Sequence, residues 1–171
     1  MKKILLYLLS LWACSITASQ FDPMLKFNAG TYLGLGRYSA HDGRTEFYSS
    51  YAQLSENEWS LAYNSGIGTS FYNLLFQFDE KNNGYFDLIM IRETPGPGSG
   101  LYTGHGFCGT HQCRLFAMLE NNILEETITF HPEDNKIYRL GSLHTQDEDG
   151  ITNTIWWDEH MTYIGEIAEG E

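Results

Sequence analysis

The stretch of sequence that decides the fold is FYNLLFQFDEKNNGYFDLIMI, residues 71–91. In the first part of this stretch every second residue is apolar or aromatic: Tyr72, Leu74, Phe76 and Phe78. Alternation with a period of two predicts a β-strand with one buried face. The next segment, KNNG at 81–84, has the composition of a tight turn. The run FDLIMI at 86–91 is apolar at both parities, so we expect a second strand that is covered on both faces.

Turn chemistry of this kind recurs along the rest of the chain. Eight further segments rich in Gly, Asn, Asp, Ser or Pro carry it, at residues 41–43, 55–58, 65–68, 94–100, 109–112, 120–122, 132–135 and 147–150. The nine turns separate ten candidate strands, and short connections between successive strands imply an antiparallel up-and-down meander. Closing such a sheet into a barrel removes its edges, whereas a two-sheet sandwich leaves some exposed. We therefore predict an all-β fold, a barrel of about ten strands.

The first 19 residues have the order of a bacterial export signal. Lys2 and Lys3 precede an apolar run at 4–13, and small or polar residues follow up to Ser19. We expect a signal peptide over 1–19, one domain over 20–171, and a periplasmic or secreted mature protein. The alternative is a loose lipobox at 11–14, in which Cys14 would become a lipid anchor. The apolar run is too short to stay as a membrane span, and the mature chain contains no candidate for one.

The chain is acidic, with a formal charge of −12 that becomes −14 once the two lysines of the signal are removed. Such a field repels nucleic acid and anionic lipid, so the sequence excludes a nucleic-acid-binding role. The charge leaves room for a basic partner, and we keep an envelope protein partner as one hypothesis. That hypothesis gives a role to the Pro- and Gly-rich segment 94–100, which otherwise forms a lip over the barrel mouth or a passive linker.

The segment GTYLGLG, Gly30 to Gly36, resembles the G-x-W start of lipocalin-like (calycin) barrels. It is more loosely similar to the Gly-rich first strand of nitrobindin-like haem barrels. Tyr32 stands where lipocalins have a tryptophan that plugs the closed end of the barrel. The resemblance implies a calycin-like cup that holds a small apolar or amphipathic ligand without catalysis.

Aromatic side chains on the predicted strands are the candidate walls of such a cup, since they combine apolar area with a hydrogen-bonding edge. We predict ligand contacts from Tyr32, Tyr63, Tyr72, Phe76, Trp156 and Trp157. The two tryptophans are adjacent, so one should fill the barrel or its mouth while the other covers the outside.

Cys108 and Cys113 are the cysteines that remain after removal of the signal. Four residues separate them, which suits a hairpin loop, and export places them in an oxidising compartment. We predict a structural disulfide that joins two neighbouring strands. A zinc site formed by both cysteines with His105 and His111 is the alternative reading of the same residues.

Cofactor and catalytic groups are sparse in this sequence. We predict no cofactor, and keep as an alternative a haem barrel or enzyme centred on His144 or His160, whichever faces the interior. The pattern 147–150, DEDG, lacks the later carboxylates of a calcium loop. No Ser-His-Asp grouping with a nucleophile elbow is present, so we assign no catalytic residue.

Glu126 is the odd residue of its strand, since it shares a parity with Leu124 and Ile128. A carboxylate that faces a barrel interior needs a partner. Arg139, on the next predicted strand, is the candidate, and we expect an internal ion pair with a structural role.

Overall fold

The computed structural model describes residues 29–55, 57–66, 68–78, 84–94, 99–146, 149–150 and 152–166. The predicted signal peptide and lipobox lie outside these ranges, as do most of the 94–100 loop and half of the 147–150 turn. The ten strands, in chain order, are β1 (Gly30–Ala40), β2 (Thr45–Leu54), β3 (Glu58–Ser65), β4 (Gly68–Phe78), β5 (Tyr85–Glu93), β6 (Gly100–Cys108), β7 (Gln112–Leu119), β8 (Asn122–His131), β9 (Lys136–Gln146) and β10 (Thr152–Gly165). A single 3₁₀ turn, Pro132–Asp134, joins β8 to β9. Within these ranges no helix is long and apolar enough to cross a membrane.

The ten strands form a closed antiparallel barrel in which each strand pairs with its sequence neighbours. The ring is completed by β1 against β10, with Gly34 opposite Met161 and Gly36 opposite Glu159. Closure leaves no strand edge of the sheet unpaired. The predicted all-β meander of ten strands, closed rather than folded as a sandwich, is confirmed.

Strand β4 shows how the alternation of the sequence divides the inside from the outside. Leu74 and Phe76 are buried, and Tyr72 and Phe78 of the same parity are packed against the core. The predicted inner face of this strand is therefore confirmed.

Strand β5 differs from its prediction. Phe86, Leu88 and Met90 are buried inside the barrel, but Ile91 on the other face is 45% exposed. The prediction that both faces are covered is wrong, because a single closed sheet buries only its inner face and no described element packs outside β5.

One end of the barrel is filled by aromatic side chains. Trp59 is completely buried there and lies edge-on to both Phe76 and Phe130, with ring centroids 5.4 and 6.1 Å away. Tyr32 is buried at the same end and packs edge-on against Tyr163. This packed end therefore holds Tyr32 where the resemblance to lipocalins implies a plug.

The predicted disulfide is present at the packed end. Cys108 of β6 and Cys113 of β7 face each other in the register, and their sulfurs are bonded. Both residues are fully buried. The bond closes the β6–β7 hairpin at its tip, as the spacing predicted.

Candidate functional site

The opposite end of the barrel holds a partly open cavity of about 160 Å³. It lies where β1, β3 and β5 end and where β2, β4 and β10 begin, because Tyr38, Ser65 and Thr94 line it together with Ser70 and Ile155. For comparison, an engineered cavity of about 150 Å³ in another protein binds benzene. The space at this end therefore suits a single ring or a short chain.

The wall of the cavity is a continuous arc of aromatic rings. Tyr38 stacks on Tyr48, whose ring lies edge-on to Tyr63 at 5.3 Å, and Tyr63 in turn lies edge-on to Tyr72 at 4.9 Å. Edge-to-face pairs at these separations are favourable beyond the area they bury. Trp157 lines the cavity from β10, so rings from four tyrosines and one tryptophan face the space.

Glycines on the inner wall make room for two of these rings. A Cβ on Gly36 would lie 2.5 Å from Cζ of Tyr48, and a Cβ on Gly141 would lie 2.2 Å from Cζ2 of Trp157. Both distances are far below van der Waals contact, so each ring can lie flat on the sheet only where the strand beneath it has no side chain. The shape of the cavity therefore depends on these two glycines.

Aliphatic side chains and Met90 form a second part of the cavity lining. Leu74, Met90, Leu124, Leu143 and Ile155 contribute from five strands. A mostly apolar cleft with a few convergent polar groups is typical of small-molecule sites.

The polar groups beside the cavity form a buried network around Arg139. Its Nε donates to Oε1 of Glu126 at 2.5 Å, and its Nη1 donates to Oε2 of Glu159 at 2.9 Å. The same Nη1 donates to the Tyr63 hydroxyl, and the Ser50 hydroxyl donates to Oε1 of Glu159. The predicted internal ion pair of Glu126 with Arg139 is confirmed, and the structure adds a second carboxylate to it.

Burial sets the protonation behaviour of the network. Desolvation raises the pKa of Glu159 above its ordinary value, although Arg139 and the Ser50 hydroxyl partly oppose the shift. Burial also disfavours the charge of Arg139, but Glu126, Tyr63 and Glu159 outweigh it and hold the pKa of the guanidinium well above its ordinary value. Arg139 is therefore a permanent cation between two carboxyl groups.

A second arginine lies on another part of the cavity wall. Arg92 is buried, and its Nε donates to the Tyr72 hydroxyl at 2.8 Å. It also bonds the hydroxyl of Tyr102, whose pKa is raised chiefly by burial. Both arginines thus touch phenol groups of the wall.

The six residues predicted to contact a ligand lie in three different places. Tyr63, Tyr72 and Trp157 line the cavity. Tyr32 and Phe76 belong to the packed end, away from the cavity lining. Trp156 is on the outer face and 49% exposed, so Trp157 is the inward member of the pair.

The two histidines considered as haem ligands face away from the interior. His144 lies outside β9, where its ring bonds the hydroxyls of Ser142 and Thr154. His160 lies outside β10, edge-on to Tyr138. The hypothesis that either imidazole lies inside the barrel is therefore wrong. Odd-numbered residues of β9 and β10, such as Arg139 and Glu159, face inward, so the even-numbered His144 and His160 face outward. No histidine in the described ranges lines the cavity.

The alternative zinc reading assigned both cysteines as thiolate ligands. In the structure their sulfurs are bonded to each other, and His105 packs on the outer face against Phe116. Among the described residues no three His, Cys, Asp or Glu side chains are grouped as a metal site.

Several residues of the site were not proposed as ligand contacts or network partners from the sequence. Tyr38, Tyr48 and Arg92 line the cavity, and Glu159 binds Arg139 beside it. The alternation along β10 does predict the position of Glu159, because it lies two residues after Trp157 and therefore faces the same side of the strand. The pairing of Glu159 with Ser50 joins residues 109 positions apart and has no local signal.

The outer face has its own apolar feature. Tyr85, Phe107, Leu140 and Trp156 are all exposed and line an open groove of about 580 Å³. This outer groove is separate from the aromatic cavity.

Comparison with known proteins gives a fold relationship and no family. No family model matches the sequence, and no curated protein matches it. Among solved structures, the barrel is similar to that of the S-type phycobiliprotein lyase from Guillardia theta. The TM-score is 0.61 at 12% sequence identity, and the match covers 85% of this chain and 94% of the lyase chain. At this identity the likeness concerns the fold alone, a closed antiparallel β-barrel.

Proposed function

We propose that this protein binds a small apolar or amphipathic molecule in the cavity at the open end of the barrel. The observation that carries the proposal is the cavity itself, about 160 Å³ in volume and walled by Tyr38, Tyr48, Tyr63, Tyr72 and Trp157. Aromatic walls with few polar groups hold a ligand by its apolar surface and orient it by its polar end. The similar barrel of a phycobiliprotein lyase is consistent with this use of the fold.

Binding accounts for the site better than catalysis does. The ionisable groups beside the cavity bond one another, since Arg139 holds both Glu126 and Glu159. A general acid or base needs a proton that can reach the substrate, and a carboxylate held by a guanidinium is a poor candidate. We therefore assign these groups to shaping and polarising the site.

Export belongs to the same proposal. The charged, apolar and small-residue order of the first 19 residues supports it, and a disulfide is suited to the periplasm or the extracellular space. A periplasmic barrel would collect its ligand outside the cytoplasm. Cell fractionation with N-terminal sequencing of the mature protein tests this part and distinguishes cleavage near Ser19 from lipidation at Cys14.

The binding proposal is tested by native mass spectrometry of protein purified from its own host, and by fluorine NMR titration with para-fluorotoluene. The matched variants are Ile155→Trp, which enlarges a side chain of the cavity lining, and Ile164→Trp on the outer face of the same strand. We expect the first to abolish binding and the second to leave it intact. Equal binding by both variants, or no binding by the wild-type protein, contradicts the proposal.

A protein partner in the cell envelope is a second candidate function, and the outer groove supports it. Leu140 and Trp156 expose apolar surface there, and such patches often mark interaction sites. Co-purification of Leu140→Ser and wild-type protein from envelope extracts, at low and high salt, tests this role separately.

A further inference from the structure

We infer that the ligand carries a hydrogen-bond-accepting oxygen, a carbonyl or a carboxylate, at the end that enters the aromatic cavity. The inference rests on the proposed function and narrows the class of ligand. It follows from the hydrogen-bond donors among the cavity-lining residues that have no partner in the described part of the chain.

The first such group is the hydroxyl of Tyr48. The residue is 8% exposed and lines the cavity, yet no described residue makes a hydrogen bond to its hydroxyl. Burial and the charge of Glu159 raise the pKa of this phenol far above its ordinary value. The hydroxyl therefore keeps its proton and can donate it. Unlike the Trp59 N–H, this hydroxyl is not sealed from solvent. A bound molecule that covers it leaves the donor unsatisfied unless that molecule accepts its hydrogen bond.

The second group is the indole N–H of Trp157. This ring lines the cavity above Gly141, and its N–H makes no hydrogen bond to any described residue. An indole nitrogen can only donate. It differs from Trp59, whose N–H is also without a partner but is sealed in the packed end.

The charged groups that line the cavity also favour a ligand with a hydrogen-bond acceptor. Arg92 and Arg139 both line the cavity, and guanidinium groups are donors only. Glu126 is the one carboxylate among the described lining residues, and it accepts from Arg139 at 2.5 Å. A ligand with an acceptor oxygen can take the hydrogen bond that Tyr48 offers. A ligand with only donors can donate to the phenol oxygen of Tyr48 but leaves the phenol proton unpaired.

The experiment compares isosteric probes by fluorine NMR titration of the full mature protein. The probes are para-fluoroacetophenone and para-fluorobenzoate, which carry acceptors, para-fluoroethylbenzene, which carries none, and para-fluorobenzylamine, which carries a donor. We expect at least one acceptor probe to bind about tenfold more tightly than the hydrocarbon, as expected for one or two hydrogen bonds to unmatched donors. Tighter binding of the acetophenone indicates that the ligand has a neutral carbonyl, and tighter binding of the benzoate indicates a carboxylate.

Two variants of β2 assign the effect. Tyr48→Phe removes the open hydroxyl and should lower the ratio of acceptor to hydrocarbon affinity about fivefold. Tyr51→Phe removes a hydroxyl from the outer face, where Tyr51 is exposed, and should leave that ratio unchanged. Hydrocarbon binding equal to acceptor binding, tightest binding by the amine, or no effect of Tyr48→Phe overturns the inference while leaving the binding proposal standing. Failure of every probe to bind overturns both.

Discussion

Replacing Arg139 by Met tests the buried network, which is the least expected part of the interior. The side chain is 3% exposed and lies between Glu126 and Glu159, which are 2% and 0% exposed. Methionine keeps most of the volume but leaves two buried carboxyl groups without their cation. Breaking a buried ion pair on one side costs about 3–5 kcal/mol of unfolding free energy. For a domain of this size that lowers Tm by roughly 10 °C.

The loss should depend on pH in a definite direction. The pKa of Glu159 is already raised from its ordinary value of 4.5 in the folded protein. A carboxyl with a raised folded pKa contributes stability below its unfolded pKa, and that contribution disappears as pH rises through the folded value. Removal of Arg139 takes away a group that lowers this pKa. The penalty of Arg139→Met should therefore be larger at about pH 7.5 than at about pH 5.

The assay is equilibrium urea unfolding followed by tryptophan fluorescence at both pH values. The control is Arg37→Met, because Arg37 forms an ion pair with Asp158 at 2.6 Å whose side chains are 58% and 40% exposed. Exposed pairs contribute at most about 1 kcal/mol. A second control adds Gln at both carboxyl positions to Arg139→Met and should recover much of the loss. A loss below about 1 kcal/mol, or an equal loss at both pH values, would refute the reasoning.

Three further predictions concern the frame around the site. Substitution of Cys108 and Cys113 by Ser should lower the urea-unfolding free energy by about 2 kcal/mol, because the disulfide closes only a short loop; an unchanged midpoint would contradict this. Gly141→Ala should cost about 1–3 kcal/mol and weaken probe binding, since the new Cβ meets an indole at 2.2 Å. Gly66→Ala serves as the control, because its Cβ would meet only Oε2 of Glu46 at 3.6 Å, an ordinary contact. Trp59→Ala should cost about 3–5 kcal/mol at the packed end, as measured by thermal unfolding, because the ring is completely buried.

The barrel itself could be predicted because its evidence is local. Turn chemistry marks each strand end, and the alternation around Leu74 and Phe76 shows which face of β4 is buried. Glu126 could be paired with Arg139 from sequence because a carboxylate among apolar neighbours needs a partner on an adjacent strand. With Arg139 inside, residues of odd number on β9 face inward, so His144 must face outward.

The cavity could not be predicted in the same way, because it depends on register across distant strands. Ser50 meets Glu159 only because β1 lies between β2 and β10, and Gly34 between the two leaves them room. A shift of one residue in any of these pairings would reverse every side chain of that strand. The sequence likewise gives no sign that Phe76 belongs to the packed end while Tyr72, four residues earlier, lines the cavity.

Stability alone does not explain why the barrel places charges beside its cavity. Buried ion pairs replaced by apolar side chains of similar volume often leave a protein as stable or more stable. An interior of aromatic and aliphatic groups, like the one around Trp59, would therefore serve folding equally well. Arg92 and Arg139 differ from such apolar side chains, since they place cationic hydrogen-bond donors in the wall of the cavity. In the proposed binding mode, they and the open hydroxyl of Tyr48 are the groups that hold the polar end of the ligand.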